Sequence, residues 1–170
     1  MESRTVEHSA VTMSQVMMPQ QANPVGNVHG GEVFKLMDTA AGVAALRHSH
    51  ANVVTARVDG INFYSPVKVG NFLVVNAYLT FVSHSSMEVR VDVTTEDIKR
   101  ERKWHALTAY FVMVALDDSG KPTEVPPLTL SSPREKEMWE KAEKRYHTCK
   151  GDLIEEEAGE YHVCREPLLF

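Results

Sequence analysis

The chain has 170 residues, is 43% hydrophobic and carries a formal charge of −5, with an isoelectric point near 5.9. That length favours one domain of about 100–150 residues plus an appendage, with enough apolar material for a core. The acidic balance excludes a global drive toward nucleic acid, and no basic arm interleaved with aromatics offers a local one.

The N-terminal stretch up to His8 contains no apolar h-region, so no signal peptide is expected. No apolar run approaches the roughly 18–20 residues of a membrane span, so no membrane insertion is expected either. Cys149 and Cys164 both lie late in the chain. A disulfide between them is conceivable, but two late cysteines make no framework, and a reducing, cytoplasmic setting is the expectation.

Residues 9–18 read as a strand stopped by Pro19, and a turn-rich loop covers 20–31. From 30 to about 48, Val33, Phe34, Met37, Ala40, Ala41, Ala44 and Ala45 recur at the spacing of a helix buried on one side. Its small residues would let a sheet approach closely, and Arg47, His48 and His50 suit the negative end of its dipole. Strands are predicted at 53–58 and 61–64, then at 72–82, which is apolar on both faces and so expected to be central. The stretch 87–94 alternates strictly, and 104–116 is long and mostly apolar, with a charged hairpin loop at 96–103. Asp117 to Gly120 is a turn signal. After a linker marked by Pro122, Pro126 and Pro127, Ser132, Pro133 and Glu135 announce a helix over 133–150. It is charged almost all round, and is expected on the surface or over a neighbour. The expected organisation is an α+β domain over 8–121, linker and helix over 122–150, and an acidic, mobile tail over 151–170.

The most informative stretch is Asn23-Pro24-Val25-Gly26-Asn27-Val28-His29-Gly30-Gly31, which empties into the helix carrying Asp38. Free backbone N–H groups, the positive end of a helix dipole and a carboxylate then surround one small space. Such a space suits a carbonyl that must take up negative charge, which points to acyl chemistry.

This stretch, with Leu36-Met37-Asp38-Thr39-Ala40-Ala41-Gly42, Arg47-His48, Val54-Thr55-Ala56-Arg57-Val58-Asp59, Ile61-Asn62-Phe63-Tyr64-Ser65-Pro66, Gly70, Ser85-Ser86-Met87-Glu88-Val89 and Val125-Pro126-Pro127, resembles the hotdog-fold acyl-CoA thioesterases. The likeness is to the brain-type acyl-CoA hydrolase group and its single-domain bacterial relatives, over about residues 8–148. It implies one long central helix wrapped by a five- to six-stranded antiparallel sheet, with a C-terminal surface helix. The activity it implies is hydrolysis of fatty acyl-CoA to free fatty acid and CoA. The resemblance further implies that Asn23 and Asp38 act together from different protomers of a homodimer, assembled as a trimer of dimers. The segment 151–170 has no counterpart in that pattern.

Within that reading Asp38 is the general base or the direct nucleophile, though its position alone also suits a solvated side chain or a structural acceptor. Asn23 either shapes a turn or orients water or the thioester carbonyl. Gly30 permits close ligand approach, and Gly31 N–H is the expected oxyanion donor. His29 is read as a structural hydrogen-bonding residue beside the substrate. The basic candidates for the CoA phosphates are Arg57, Arg90, Lys99, Arg100, Arg102, Lys103, Lys144 and Arg145, of which Arg57 and Arg145 are carried forward. Ser85 and Ser86 are candidates for the pantetheine arm, and Phe63 with Tyr64 for the acyl chain or the dimer partner. His48, His50, His84 and His105 show no metal-ligand pattern, so no metal is predicted, and no cofactor beyond the CoA of substrate and product. The alternatives are a non-catalytic acyl-CoA-binding regulator and a hotdog hydratase or dehydratase.

Overall fold

The structure, a computed structural model, describes the backbone of residues 1–156 and the side chains of residues 1–148. In chain order its elements are Arg4–Thr5 (β1), Val6–Ser9 (α1), Val11–Val16 (β2), Gly30–Ser49 (α2), Asn52–Phe63 (β3), Phe72–Val82 (β4), Ser86–Asp97 (β5), Arg102–Leu116 (β6), Leu128–Thr129 (β7) and Pro133–Glu156 (α3). Five strands form one sheet in the order β2-β4-β5-β6-β3, with every neighbouring pair antiparallel. The α+β plan of one long helix on a five-stranded antiparallel sheet is thus present.

The core lies between α2 and one face of this sheet. Val33, Met37, Ala40, Ala41, Ala44 and Ala45 of the helix are all completely buried. So are the inward residues of β5, Met87, Val89, Val91 and Val93, and Leu107, Ala109 and Phe111 of β6. Each buried Val, Leu, Phe or Met contributes about 1.5–3 kcal/mol relative to exposure. The alanines contribute little apolar area themselves; their use is to let the helix backbone come down onto the sheet.

Local features depart from the simplest reading of the pattern. The strand expected at 9–18 is shorter because residues before it form α1, whose N-cap Thr5 accepts from His8 N–H at 3.2 Å. One turn of helix is too short to show a period. The segments 53–58 and 61–64 are one strand, bent by bulges after Thr55 and Asp59, with Gly60 at φ +61. β4 is interior but β5 is the middle strand. The expected 96–103 loop shrinks to a short turn, where Asp97 Oδ1 accepts from Arg100 N–H at 3.2 Å.

A bulge in β4 between Leu79 and Phe81 puts Phe81 on the sheet's outer face, opposite Glu88. There α3 docks. Phe81 meets Trp139 at 4.7 Å and Tyr146 at 5.2 Å between ring centroids, and Ala142 is fully buried. The charged helix therefore packs on its own sheet through one narrow stripe. It also continues to Glu156 rather than ending at residue 150. The rest of the expected tail, from 157 on, and the cysteine side chains lie outside the described residues. Among the described residues no helix is long and apolar enough to cross a membrane.

The N-terminal segment is tied over the C-terminal end of α2. β1 pairs in parallel with β7, which brings Arg4 to the last carbonyls of the helix, those of Arg47 and His48, and to His50 Nδ1. A cation is favoured there by the unpaired carbonyls and the dipole. His48 is completely buried. Its Nε2 donates to the Pro126 carbonyl at 2.8 Å, and among the described residues Nδ1 has no partner.

Burial lowers the His48 pKa below 6.5; the Pro126 hydrogen bond works against this, while Arg4, His8 and His50 add to it. The unfolded chain therefore takes up this proton first, so His48 contributes stability above about pH 6.5 that is lost as pH falls toward its folded value. Melting temperature should accordingly fall between pH 7.5 and 5.5, and His48→Gln should flatten that limb. Equal slopes in both proteins would show that His48 does not carry the effect.

Candidate active site

The loop ahead of α2 is a closed hairpin. Asn23 N–H donates to the Asn27 carbonyl at 2.6 Å, and Gly26 N–H returns to the Asn23 carbonyl at 2.9 Å. Gly26 sits at φ +82, where a side chain would be strained. The Asn23 side-chain oxygen accepts from both Val25 N–H and Asn27 N–H, each at 3.1 Å. Two backbone donors fix the amide orientation, since only its oxygen accepts. What Asn23 can still offer is its NH₂, a donor.

At the helix start His29 is the N-cap, its Nδ1 accepting from Gly31 N–H at 3.0 Å. Both glycines have steric reasons. A Cβ on Gly31 would stand 3.0 Å from His29 Nδ1, and one on Gly30 would stand 3.3 Å from the Phe63 ring. The N–H expected to bind an oxyanion is thus already engaged by the imidazole. Gly30 N–H is the donor that the first turn leaves without a helical partner.

Asp38 lies two turns along the same helix, half-buried among Met37, Ala40 and Ala41. Thr55 of β3 donates its hydroxyl to Asp38 Oδ1 at 2.6 Å. Thr55 faces the helix side of the sheet, since it pairs with the core residue Met113. One carboxylate oxygen is thereby fixed, and Oδ2 is the oxygen left for chemistry. Thr55 was not singled out from sequence. Thr55 is exposed and β3 also carries Arg57, Asp59 and Asn62, so neither burial nor pattern marked it in the sequence.

The other sequence candidates separate. Arg57 pairs with Asp59 at 2.9 Å, and Arg145 holds buried Glu88 through Nε at 3.1 Å and a second nitrogen at 2.7 Å. Both arginines lie on the sheet face away from α2. Ser85 lies in the β4–β5 turn and Ser86 opens β5, with Ser83 N–H donating to the Ser86 carbonyl at 2.8 Å. Phe63 is 54% exposed while covering Gly30. The structure therefore gathers Asn23, His29, Gly30, Gly31 and Phe63 at the helix entrance, with Asp38 and Thr55 further along α2. Among the described residues no three His, Cys, Asp or Glu side chains converge as metal ligands would.

A model of the Thioesterase superfamily matches residues 25–101, the span from this loop to the β5–β6 turn. The cytosolic acyl coenzyme A thioester hydrolase of Rattus norvegicus is 36% identical over 147 residues, which cover 85% of this chain and 39% of that protein. The chain therefore spans well under half the length of that relative. An apo-hexameric acyl-CoA thioesterase superposes with a TM-score of 0.85 at 31% identity, covering 89% of this chain and 97% of the other. The acyl-CoA hydrolase of Staphylococcus aureus, solved with butyryl coenzyme A and coenzyme A, gives 0.84 at 31% identity, covering 92% and 95%. That hydrolase has also been solved with an aspartate, an asparagine or a threonine replaced by alanine. The asparagine-to-aspartate and aspartate-to-threonine intervals there, 15 and 17 residues, are those from Asn23 to Asp38 and from Asp38 to Thr55 here.

Proposed function

The chain belongs to the Thioesterase superfamily, and from that premise we propose that it hydrolyses acyl-coenzyme A, releasing a carboxylic acid and CoA. The observation that carries this reading is the Thr55 hydroxyl on Asp38 Oδ1 at 2.6 Å, which leaves Oδ2 poised on a helix whose N-terminus can stabilise an oxyanion. Asp38 takes the proton of an attacking water, or attacks the carbonyl itself to give a mixed anhydride that water then cleaves. In either route the C–S bond breaks and the CoA thiolate leaves, taking up a proton. The Asn23 NH₂ and Gly30 N–H hold the carbonyl oxygen as it gains charge, and Gly31 N–H joins them once the His29 ring releases it. Thr55 is a positioning residue that acts through Asp38.

The reading includes a homodimer in which Asn23 and Asp38 of each site come from different protomers. β3 supports it. Among the described residues this strand is paired only with β6, and its apolar Val54, Ile61 and Phe63 are 45%, 42% and 54% exposed. A long apolar edge of this kind is a ready template for a second copy of the chain. The hexameric relative supports further assembly of such dimers.

Thiol release from short- to long-chain acyl-CoAs tests the proposal. Wild type should turn over, Thr55→Ala should lose about ten-fold in kcat, and Thr55→Ser should retain most of it, as expected for one charge-assisted hydrogen bond. Binding of acyl-CoA without turnover on any chain length would instead identify a non-catalytic acyl-CoA-binding protein.

A further inference from the structure

Two partners compete for Gly31 N–H. In the structure it donates to His29 Nδ1 at 3.0 Å, the side-chain cap at the start of α2. In the reaction above it donates to the carbonyl oxygen at the same helix end. A backbone amide has one hydrogen to give, so the cap must break before the oxyanion bond forms at full strength.

The cap is built so that it can leave. The imidazole is exposed, and among the described residues its hydrogen bond is the one from Gly31, so packing resists its departure little. Residue 31 is glycine, and a Cβ there would stand 3.0 Å from Nδ1 and 3.3 Å from Cε1; any side chain would push the ring off. The backbone is tied independently of the ring. His29 N–H donates to the Gln21 carbonyl at 2.7 Å, and the His29 carbonyl accepts from Glu32 N–H at 2.9 Å. Its φ of −63 and ψ of 129 are open to any residue. The residue type points the same way, since Asn, Asp, Ser and Thr are the preferred caps at this position, and the chain carries a histidine instead. We propose that the His29 imidazole is an autoinhibitory cap on the oxyanion site, holding Gly31 N–H in the resting enzyme until the substrate carbonyl displaces it. The inference rests on the acyl-CoA reading above, in which Gly31 is an oxyanion donor. Its consequence is that stability and turnover depend on one N–H in opposite senses.

The test measures kcat/KM for acyl-CoA and melting temperature together, for wild type, His29→Ala and His29→Asn. Alanine removes the acceptor, so the melting temperature should fall by about 2–4 °C. The same variant should gain about five-fold in kcat/KM, because the transition state no longer has a cap to break. Asparagine keeps a neutral acceptor at the helix end, so its melting temperature should equal or exceed that of wild type and its kcat/KM should not rise. An unchanged or lowered kcat/KM in His29→Ala would overturn the proposal. So would an equal gain in His29→Asn, which would show that ring bulk, and not the hydrogen bond, obstructs the site. Equilibrium binding separates this inference from the hydrolase reading. A CoA ketone with a methylene in place of the thioester sulfur keeps the carbonyl, whereas an S-alkyl-CoA lacks it. His29→Ala should bind the ketone about two- to five-fold more tightly than wild type does, with S-alkyl-CoA unchanged. Equal changes for both ligands, or none for either, would overturn the cap. Absent turnover in wild type would sink the hydrolase reading alone, since selective tightening of the ketone would still uphold the cap.

Discussion

Asp38→Ala should reduce acyl-CoA turnover by about 10²–10⁴-fold, the range expected when a positioned acid–base or nucleophilic group is lost, while assembly and acyl-CoA binding persist. The side chain is half-buried and among the described residues its hydrogen bond comes from Thr55 at 2.6 Å, so its removal strands no buried charge. Asn23→Ala should cost less in kcat but also disturb the loop, because its side-chain oxygen serves Val25 and Asn27 N–H at 3.1 Å each. The decisive experiment mixes the two. If each site takes Asn23 from one protomer and Asp38 from the other, a mixed dimer carries one wild-type pair and one doubly defective pair. Random pairing of equal amounts then restores about a quarter of wild-type turnover from two nearly dead parents. No recovery in a verified mixed dimer would place both residues of a working site in one chain and end the shared-site reading.

The parts of this site legible in the sequence are those whose signals are local. The alanine-rich period of 30–48, the glycine-rich entrance and a lone carboxylate beside Met37 need no partner to be noticed. The meander was legible too, because 72–82 and 104–116 are long apolar runs and 87–94 alternates strictly. Three devices were not. The bulge at Thr80 reverses which face Phe81 takes, and nothing in the apolar run 72–82 marks it, since each of its residues suits either face. That bulge is what makes α3 an integral cover rather than a loose surface helix. Thr55 was hidden for a related reason. Its role depends on a pairing register with Met113 that only the folded sheet sets. The third is the Arg57 and Arg145 pairing. In a linear chain a cation is simply a cation, and only the packed outer face shows that both are matched to carboxylates.

That outer face carries the second large effect. Glu88 is 3% exposed, and its carboxylate accepts from Thr80 at 2.6 Å and from two Arg145 nitrogens at 2.7 and 3.1 Å. The guanidinium also lies 4.0 Å from the Tyr110 ring centre. Arg145→Met keeps the aliphatic stem over the sheet but leaves a buried carboxylate opposite an apolar group. Breaking a buried pair from one side costs about 3–5 kcal/mol, which for a chain of this size lowers the melting temperature by about 6–20 °C. Adding Glu88→Gln should recover most of the loss, since the neutral amide still accepts from Thr80 and carries no charge to desolvate. A change under about 2 °C in the single variant would show that Glu88 gains no stability from Arg145. Kinetics on the same protein separate this role from the other one open to the residue. If Arg145 serves only the sheet, KM for acyl-CoA measured well below the melting temperature stays at the wild-type value. A KM raised ten-fold with the melting temperature intact would instead return Arg145 to the CoA phosphates and make the ion pair incidental.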